Sequence, residues 1–229
     1  MIGYNPSAAY SSSMETVAVI GGTGELGRGL VVRWVLGGER VIIGSRSVEK
    51  ARRVAGELSR LTGREIGWAS YREAAREAEI VVLSVPFEAL PAVAEEVRDE
   101  VAGKIVLSVI VPLRFRGEDV ECLRPESGSA AEEVARLLPG ARVVSAFHTV
   151  GAKMLQEIGS PVPCDVVVCG DDEGAKQRVI RLINGIPGMR AIDGGALKNS
   201  RLVEATVALL VELSRMYGVP GVSIRFSGI

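Results

Sequence analysis

The hexapeptide Gly22-Thr23-Gly24-Glu25-Leu26-Gly27 follows directly on the apolar run Val17 to Ile20 and opens a stretch with helical periodicity. That context restricts the local fold to a strand, a tight turn and a helix. The first glycine permits the turn and the second lets backbone approach a pyrophosphate. The third lets helix and strand pack closely, and the helix N–H groups face the anion. Three glycines at a helix start carry a conformational cost that only such close approaches justify.

The pattern around this turn repeats. Short β-branched runs at Val17 to Ile20, Arg40 to Gly44, Glu65 to Ala69, Ile80 to Val85, Lys104 to Ser108 and Arg142 to Phe147 read as strands. Several are nearly continuous apolar runs, as expected of a parallel sheet with helices on both faces. Between them Glu25 to Leu36, Val48 to Leu61, Phe87 to Val101 and Ser129 to Leu138 carry the 3.6-residue period, with Ser47 as an N-cap and Gly63 and Gly103 beyond C-termini. Further on, a helix near Val150 to Ile158, a strand Asp165 to Cys169, a helix Glu173 to Asn184 and a strand Met189 to Ile192 are expected. The long helix Ser200 to Met216 gathers Leu202, Val203, Thr206, Leu209, Leu210, Leu213 and Met216 on one broad face, suited to core or to a partner subunit. The expected fold is α/β, a Rossmann-type doubly wound, mostly parallel sheet with a small C-terminal α/β portion. Its expected divisions are a flexible, Ser-rich tail over residues 1–14, a dinucleotide-binding domain over 15–149 and a small domain over 150–229 for the acceptor and dimerisation. Met14 is itself an eligible start.

Charge narrows the partners. The 27 basic and 28 acidic side chains leave a formal charge of −1, so no overall field draws the protein to nucleic acid. No apolar run reaches the 18 or more residues of a membrane helix. One histidine and three scattered cysteines, Cys122, Cys164 and Cys169, offer no metal-ligand spacing and suit a reduced, cytoplasmic protein.

The second strand selects the dinucleotide. An NAD site places Asp or Glu near its end to bind the ribose hydroxyls. This chain instead has Gly44-Ser45-Arg46-Ser47-Val48-Glu49-Lys50, in which a hydroxyl, a guanidinium and a lysine one helical turn later would clasp a 2′-phosphate. Cations at a helix start oppose the macrodipole unless an anion joins them, so NADP is favoured.

Carbonyl reduction needs a proton donor beside the substrate oxygen. No Tyr-x-x-x-Lys pair exists, since Tyr71 is followed four residues on by Ala75 and Tyr217 by Gly221. The single histidine, His148, closes the last strand of the first half, and is read either as bonded to backbone or as touching a cofactor ring. Hydride transfer between two redox rings requires no side-chain acid, only alignment of donor and acceptor carbons. The apolar loops Ser84-Val85-Pro86-Phe87 and Ser108-Val109-Ile110-Val111-Pro112 would form a dry crevice for it, with Pro86 and Pro112 ending the strands.

Five runs, in order, resemble the NADPH:coenzyme F420 oxidoreductases of archaea and actinobacteria: Val19-Ile20-Gly21-Gly22-Thr23-Gly24-Glu25-Leu26-Gly27, Gly44-Ser45-Arg46, Ser145-Ala146-Phe147-His148-Thr149, Val168-Cys169-Gly170-Asp171-Asp172 and Asn199-Ser200-Arg201-Leu202-Val203-Glu204. The likeness spans about Glu15 to Phe226. That family is similar in fold to the NADPH-binding domain of transmembrane ferric reductases and, more distantly, to pyrroline-5-carboxylate reductases. The resemblance implies a homodimer passing hydride between NADP and the 8-hydroxy-5-deazaflavin ring of coenzyme F420, with no obligate acid or base. It implies that Thr23, Gly24, Glu25 and Leu26 hold the pyrophosphate and that Ser45, Arg46 and Lys50 take the 2′-phosphate. Val85, Ala89 and Val111 would line the adenosine and nicotinamide path, Ala152 and Val222 would close the ring end, and His148 and Thr149 would border the deazaflavin.

One departure from the family pattern is Gly151, where a proline is expected after the His-Thr-apolar triplet. A more mobile backbone there would loosen deazaflavin binding or admit another acceptor. Two other readings therefore stand beside the first: an NADPH-dependent flavin or cyclic-imine reductase, and a non-enzymatic NADP-binding subunit.

Overall fold

The computed structural model describes residues 14–117 and 119–229. Most of the expected N-terminal tail, residues 1–13, lies outside them. The first half runs β1 (Thr16–Ile20), α1 (Glu25–Gly37), β2 (Arg40–Gly44), α2 (Val48–Thr62), β3 (Gly67–Ala69), α3 (Tyr71–Glu77), β4 (Ile80–Leu83), α4 (Leu90–Val97) and β5 (Ile105–Ser108). A hairpin of β6 (Leu113–Arg116) and β7 (Asp119–Cys122) precedes α5 (Ala130–Leu137) and β8 (Arg142–Ser145). The chain continues through α6 (Ala152–Gln156), β9 (Cys164–Gly170), α7 (Glu173–Asn184), β10 (Met189–Asp193) and α8 (Ser200–Met216).

Eight strands form one sheet in the order β10-β9-β8-β5-β4-β1-β2-β3. All neighbours are parallel except β8 and β9, which meet antiparallel at Val144–Gly170 and Ser145–Cys169. The chain leaves β1 toward β2 on one side and returns to β4 on the other, so the switch point lies at the carboxyl end of β1, where open α/β sheets bind ligands. Successive strand residues point to opposite faces. Val17 and Val19 therefore pack in the cluster under α1, α2 and α7, whereas Ala18 and Ile20 join the cluster under α3, α4 and α5.

Several expected bounds change: β3 starts at Gly67, β8 ends at Ser145 and α6 spans only Ala152–Gln156. The single helix expected from Phe87 to Val101 is a 3-10 turn, Phe87–Ala89, then α4, then a second 3-10 turn, Arg98–Glu100. Pro91 has no N–H to donate, and α4 starts so that this residue falls in its first turn. Strand β4 stops at Leu83 rather than Val85, because the chain before Pro86 turns into that first 3-10 segment. Helix α3 and the β6–β7 hairpin are additions to the expected order. Among the described residues, no helix is long and apolar enough to cross a membrane.

Candidate functional site

The turn after β1 is built by its glycines. Gly21 adopts φ +84, and a Cβ there would lie 2.1 Å from the Ser84 carbonyl oxygen and 3.0 Å from a Val85 methyl, so β1 and the loop after β4 touch backbone to backbone. The Gly24 N–H donates to the Gly21 carbonyl at 2.9 Å and closes the loop. A Cβ on Gly27 would strike the Gly21 oxygen and Gly22 Cα at 2.8 Å each, which sets how closely α1 packs. A Cβ on Gly24 would meet only the Gly21 oxygen, at 3.3 Å. The space above Gly24 is open, and a side chain would fill it.

Helix α1 starts at Gly24 with no side-chain cap. Side chains of Ser47, Ser70, Ser129 and Asp172 cap α2, α3, α5 and α7, whereas α4, α6 and α8 also lack a side-chain cap, so what sets α1 apart is its glycine-lined, open start. The first N–H groups of α1 thus carry the positive end of the helix dipole toward open space, as an anion requires. Thr23 and Leu26 are half-buried here and Glu25 is exposed.

At the next strand end, Ser45 is buried. Its N–H donates to the Ala69 carbonyl at 3.2 Å, and its Oγ accepts from the Ser47 N–H at 3.2 Å. Arg46 and Lys50 are exposed on the same rim. Arg46 sits against the Tyr71 hydroxyl; burial pushes that phenol above its usual range and the guanidinium opposes the shift. In the sequence Tyr71 stands only as a rejected proton donor and not as a partner of Arg46, although Ser70-Tyr71-Arg72-Glu73 carries a capping-box spacing whose two hydrogen bonds both form.

The ring end is assembled from distant segments. Val85 is buried beside Gly21, whereas Ala89 and Val111 are half-buried on the loops after β4 and β5. After β8 the chain passes through Phe147 at φ +66, a left-handed conformation that costs a bulky residue energy. Packing compensates: Phe147 is buried edge-on against Trp34, with centroids 5.7 Å apart at 86°. The next residue, His148, is buried, and neither ring nitrogen has a hydrogen-bond partner among the described residues. The expected alternative of a backbone-bonded histidine is thus not realised. Burial lowers its pKa to about 4, so near neutral pH the ring offers one donor and one acceptor. The Ser108 hydroxyl, at the end of β5, is a second buried orphan. Trp34 Nε1, packed against Phe147, is a third. Buried polar groups are rarely left unpaired, and of the three only His148 lines an open cleft where a polar ligand edge would satisfy it.

His148, Thr149 and Val222 line one cleft of about 370 Å³ together with Gly151, Lys153 and the α8 residues Val207, Leu210 and Ser214. Ala152 opens α6 between Gly151 and Lys153. The site residues thus fall into four groups, at the α1 turn, at the β2 rim, on the loops after β4 and β5, and at this cleft.

Arg33, unnoticed in the sequence, fixes α6 beside the cleft. Its guanidinium leaves α1 and donates to the carbonyls of Leu155 (2.8 Å), Ser160 (2.9 Å), Met154 (3.1 Å) and Glu157 (2.6 Å). It caps α6 at its carboxyl end and pins that helix to the one that begins at the glycine turn. Gly29 lets the two helices meet, since a Cβ there would stand 2.5 Å from Leu155 Cβ.

Known proteins resemble this chain along most of its length. Residues 16–112 match the family model described as NADP oxidoreductase, coenzyme F420-dependent. The chain is 39% identical over 220 residues to an F420-dependent NADP reductase of Methanocaldococcus jannaschii, covering 93% of this chain and 98% of the relative. It is 38% identical over 220 residues to the F420-dependent NADP reductase of Methanothermobacter thermautotrophicus, covering 93% and 95%. A crystal structure from Arthrobacter sp. FB24, solved as a candidate F420-dependent NADP reductase, superposes with a TM-score of 0.81 at 23% identity, over 93% of this chain and 99% of that one. At that identity the superposition speaks for the fold alone.

Proposed function

Since the chain belongs to the family of F420-dependent NADP reductases, we infer that it is an oxidoreductase that exchanges a hydride between NADP(H) and coenzyme F420. The observation that carries the reading is the uncapped, glycine-lined start of α1, open above Gly24, with Ser45 and Arg46 on the adjoining strand end.

In this reading Thr23, Gly24, Glu25 and Leu26 present backbone N–H groups to the pyrophosphate. Ser45, Arg46 and Lys50 take the 2′-phosphate, and Tyr71 keeps Arg46 over it. Val85, Ala89 and Val111 exclude water along the path to the ring end. Ala152 and Val222 close that end, while His148, neutral, and Thr149 supply polar atoms at its edge. When bound, the two cofactors supply the hydride donor and acceptor, and the chain contributes alignment and a dry enclosure rather than an acid or base.

Residues 15–149 would then form the NADP-binding part, and 150–229 the acceptor and dimer part. A homodimer is supported by α8, where Leu202, Leu209 and Met216 are 69%, 60% and 75% exposed at seven-residue spacing. Three thiols without disulfides support a reducing, cytoplasmic setting.

The test is direct. Purified protein mixed with NADPH and oxidised F420 should change the absorbance of both rings in stoichiometric step. Arg46→Glu should weaken NADPH binding by about tenfold or more, since a charge-assisted bond is lost and a repulsion gained, and should leave NADH binding nearly unchanged. Failure of turnover in protein that binds NADPH normally would remove F420 as the acceptor. Parallel loss of both nucleotides would remove the 2′-phosphate assignment.

A further inference from the structure

Beyond α8 the chain runs from Tyr217 to Ile229 without regular secondary structure, yet it is fastened at several points. Strand β9 pairs with β8 only through its last residues, so the Asp165 N–H near its start has no partner there. The segment supplies one: Asp165 N–H donates to the Ile224 carbonyl at 2.9 Å. The Asp165 carboxylate, 1% exposed, accepts from the Phe226 N–H at 2.6 Å. It also accepts from Arg190 Nε at 2.9 Å and Nη2 at 2.6 Å, the neighbouring residue in register on β10. The same guanidinium donates onward to the carbonyls of Phe226 (2.8 Å) and Ile229 (2.7 Å). A buried carboxylate is tolerated only when paired and hydrogen-bonded, and here segment and arginine together provide that pairing.

Upstream, the Val222 N–H donates to Ser214 Oγ at 3.1 Å. Gly221 crosses Gly151 so closely that a Cβ on either would lie 3.2 Å from the other's Cα. The unexpected glycine at position 151 therefore serves a packing requirement: it lets the C-terminal segment lie directly on the loop after His148.

This path separates two cavities. Val219, Pro220, Gly221 and Val222 wall the 370 Å³ cleft that holds His148, whereas Ile224 and Phe226 wall a second, largely apolar cavity of about 340 Å³ beside Cys169. Thr149 borders both. We propose that residues 219–229 are a strap partitioning one trough over Thr149, and that Asp165 and Arg190 are its latch, positioning residues that set the width of the acceptor compartment and so its discrimination between ring substrates. The inference rests on the reading that hydride transfer takes place over His148 and Thr149. The latch acts through the strap and touches neither nucleotide clasp.

Arg190→Gln removes the charge and one arm of the latch; Phe226→Pro removes the N–H that donates to Asp165 and leaves the Asp165–Arg190 ion pair in place. In both full-length variants, hydrogen exchange of residues 219–229 should accelerate at least tenfold. The ratio of kcat/KM for F420 to that for riboflavin phosphate, whose ring is widened by two methyl groups, should fall about tenfold, and NADPH affinity, set at the far end, should stay within about twofold. Arg190→Lys, which keeps the charge, should recover part of the discrimination. A strap that exchanges as slowly as in the unaltered protein overturns the proposal, and so does a freed strap with unchanged discrimination. Unaltered protein inert toward F420 would sink the functional reading alone; exchange rates and discrimination among whichever ring acceptors it does reduce would still decide the strap.

Discussion

Gly24 and Gly27 stand three residues apart and answer different demands. A methyl on Gly27 would strike backbone at 2.8 Å on two sides, and backbone cannot swing away as a flexible side chain can. Gly27→Ala should therefore cost about 1–3 kcal/mol of stability, the usual range for overpacking, and lower the melting temperature along with NADPH binding. A methyl on Gly24 would meet only one protein atom, at 3.3 Å. Gly24→Ala should leave the melting temperature almost unmoved and still abolish tight NADPH binding, because it fills the space proposed for the pyrophosphate. Thermal melts beside fluorescence titrations check both, and a Gly24 variant that binds normally would show that the open space is incidental. This part of the site was legible in the sequence because glycine identity itself encodes close approach. The ring end was legible only in part, as an apolar crevice after two strands and a histidine with two readings: the orphaned nitrogens of His148 and the Gly151–Gly221 contact depend on which distant segments meet. Nothing local distinguishes Arg33 from any other arginine in a helix, and only its four carbonyl partners reveal it as a clamp.

Strands and long helices were legible in the chain because their patterns are unambiguous. Arg40–Gly44, Glu173–Asn184 and Ser200–Met216 match the expected bounds. Short elements escaped notice: α3 has seven residues, too few for two helical repeats, and β6 and β7 have four each around Gly117, with charged residues among them. The strands pair antiparallel over four positions, with Arg114 and Glu121 facing each other at 3.6 Å, but such pairing is visible only once the register is known. Helix α8 carries the prediction that belongs at this scale. Its outer stripe of Leu202, Leu209 and Met216 is exposed, whereas Val207 and Leu210 are buried against the body. Placing a charge in the middle of that stripe, as Leu209→Glu, should turn a dimer into a monomer at micromolar concentration in sedimentation equilibrium, with little change in the fold by circular dichroism. An unaltered protein that sediments as a monomer at tens of micromolar would end the dimer assignment.

Across the whole molecule, two buried ionisable groups oppose each other in pH. His148 has its pKa lowered by burial from 6.5 to about 4, so the unfolded chain binds a proton that the fold refuses. Its linkage therefore subtracts stability as pH falls from 6.5 toward 4, by about 3 kcal/mol at roughly 1.4 kcal/mol per unit. Glu204 lies on the other side of the ledger. This α8 carboxyl accepts from the N–H groups of Ala130 and Ala131 at 2.7 and 3.1 Å, binding α8 to the start of α5. Burial nevertheless outweighs those donors and raises its pKa from 4.5 to about 7. Here the fold holds the proton that the unfolded chain releases, so stability is lost as pH rises from 4.5 through 7, again by about 3 kcal/mol. Between pH 4.5 and 6.5 the two slopes have opposite sign and largely cancel. Urea denaturation across that range separates them: relative to the unaltered protein, His148→Gln should gain stability as pH is lowered from 6.5 to 4, and Glu204→Gln should gain it as pH is raised from 4.5 to 7. If the Glu204→Gln difference stays constant over its window, the carboxyl is already ionised in the fold, and the two amide donors of α5 overcome its desolvation.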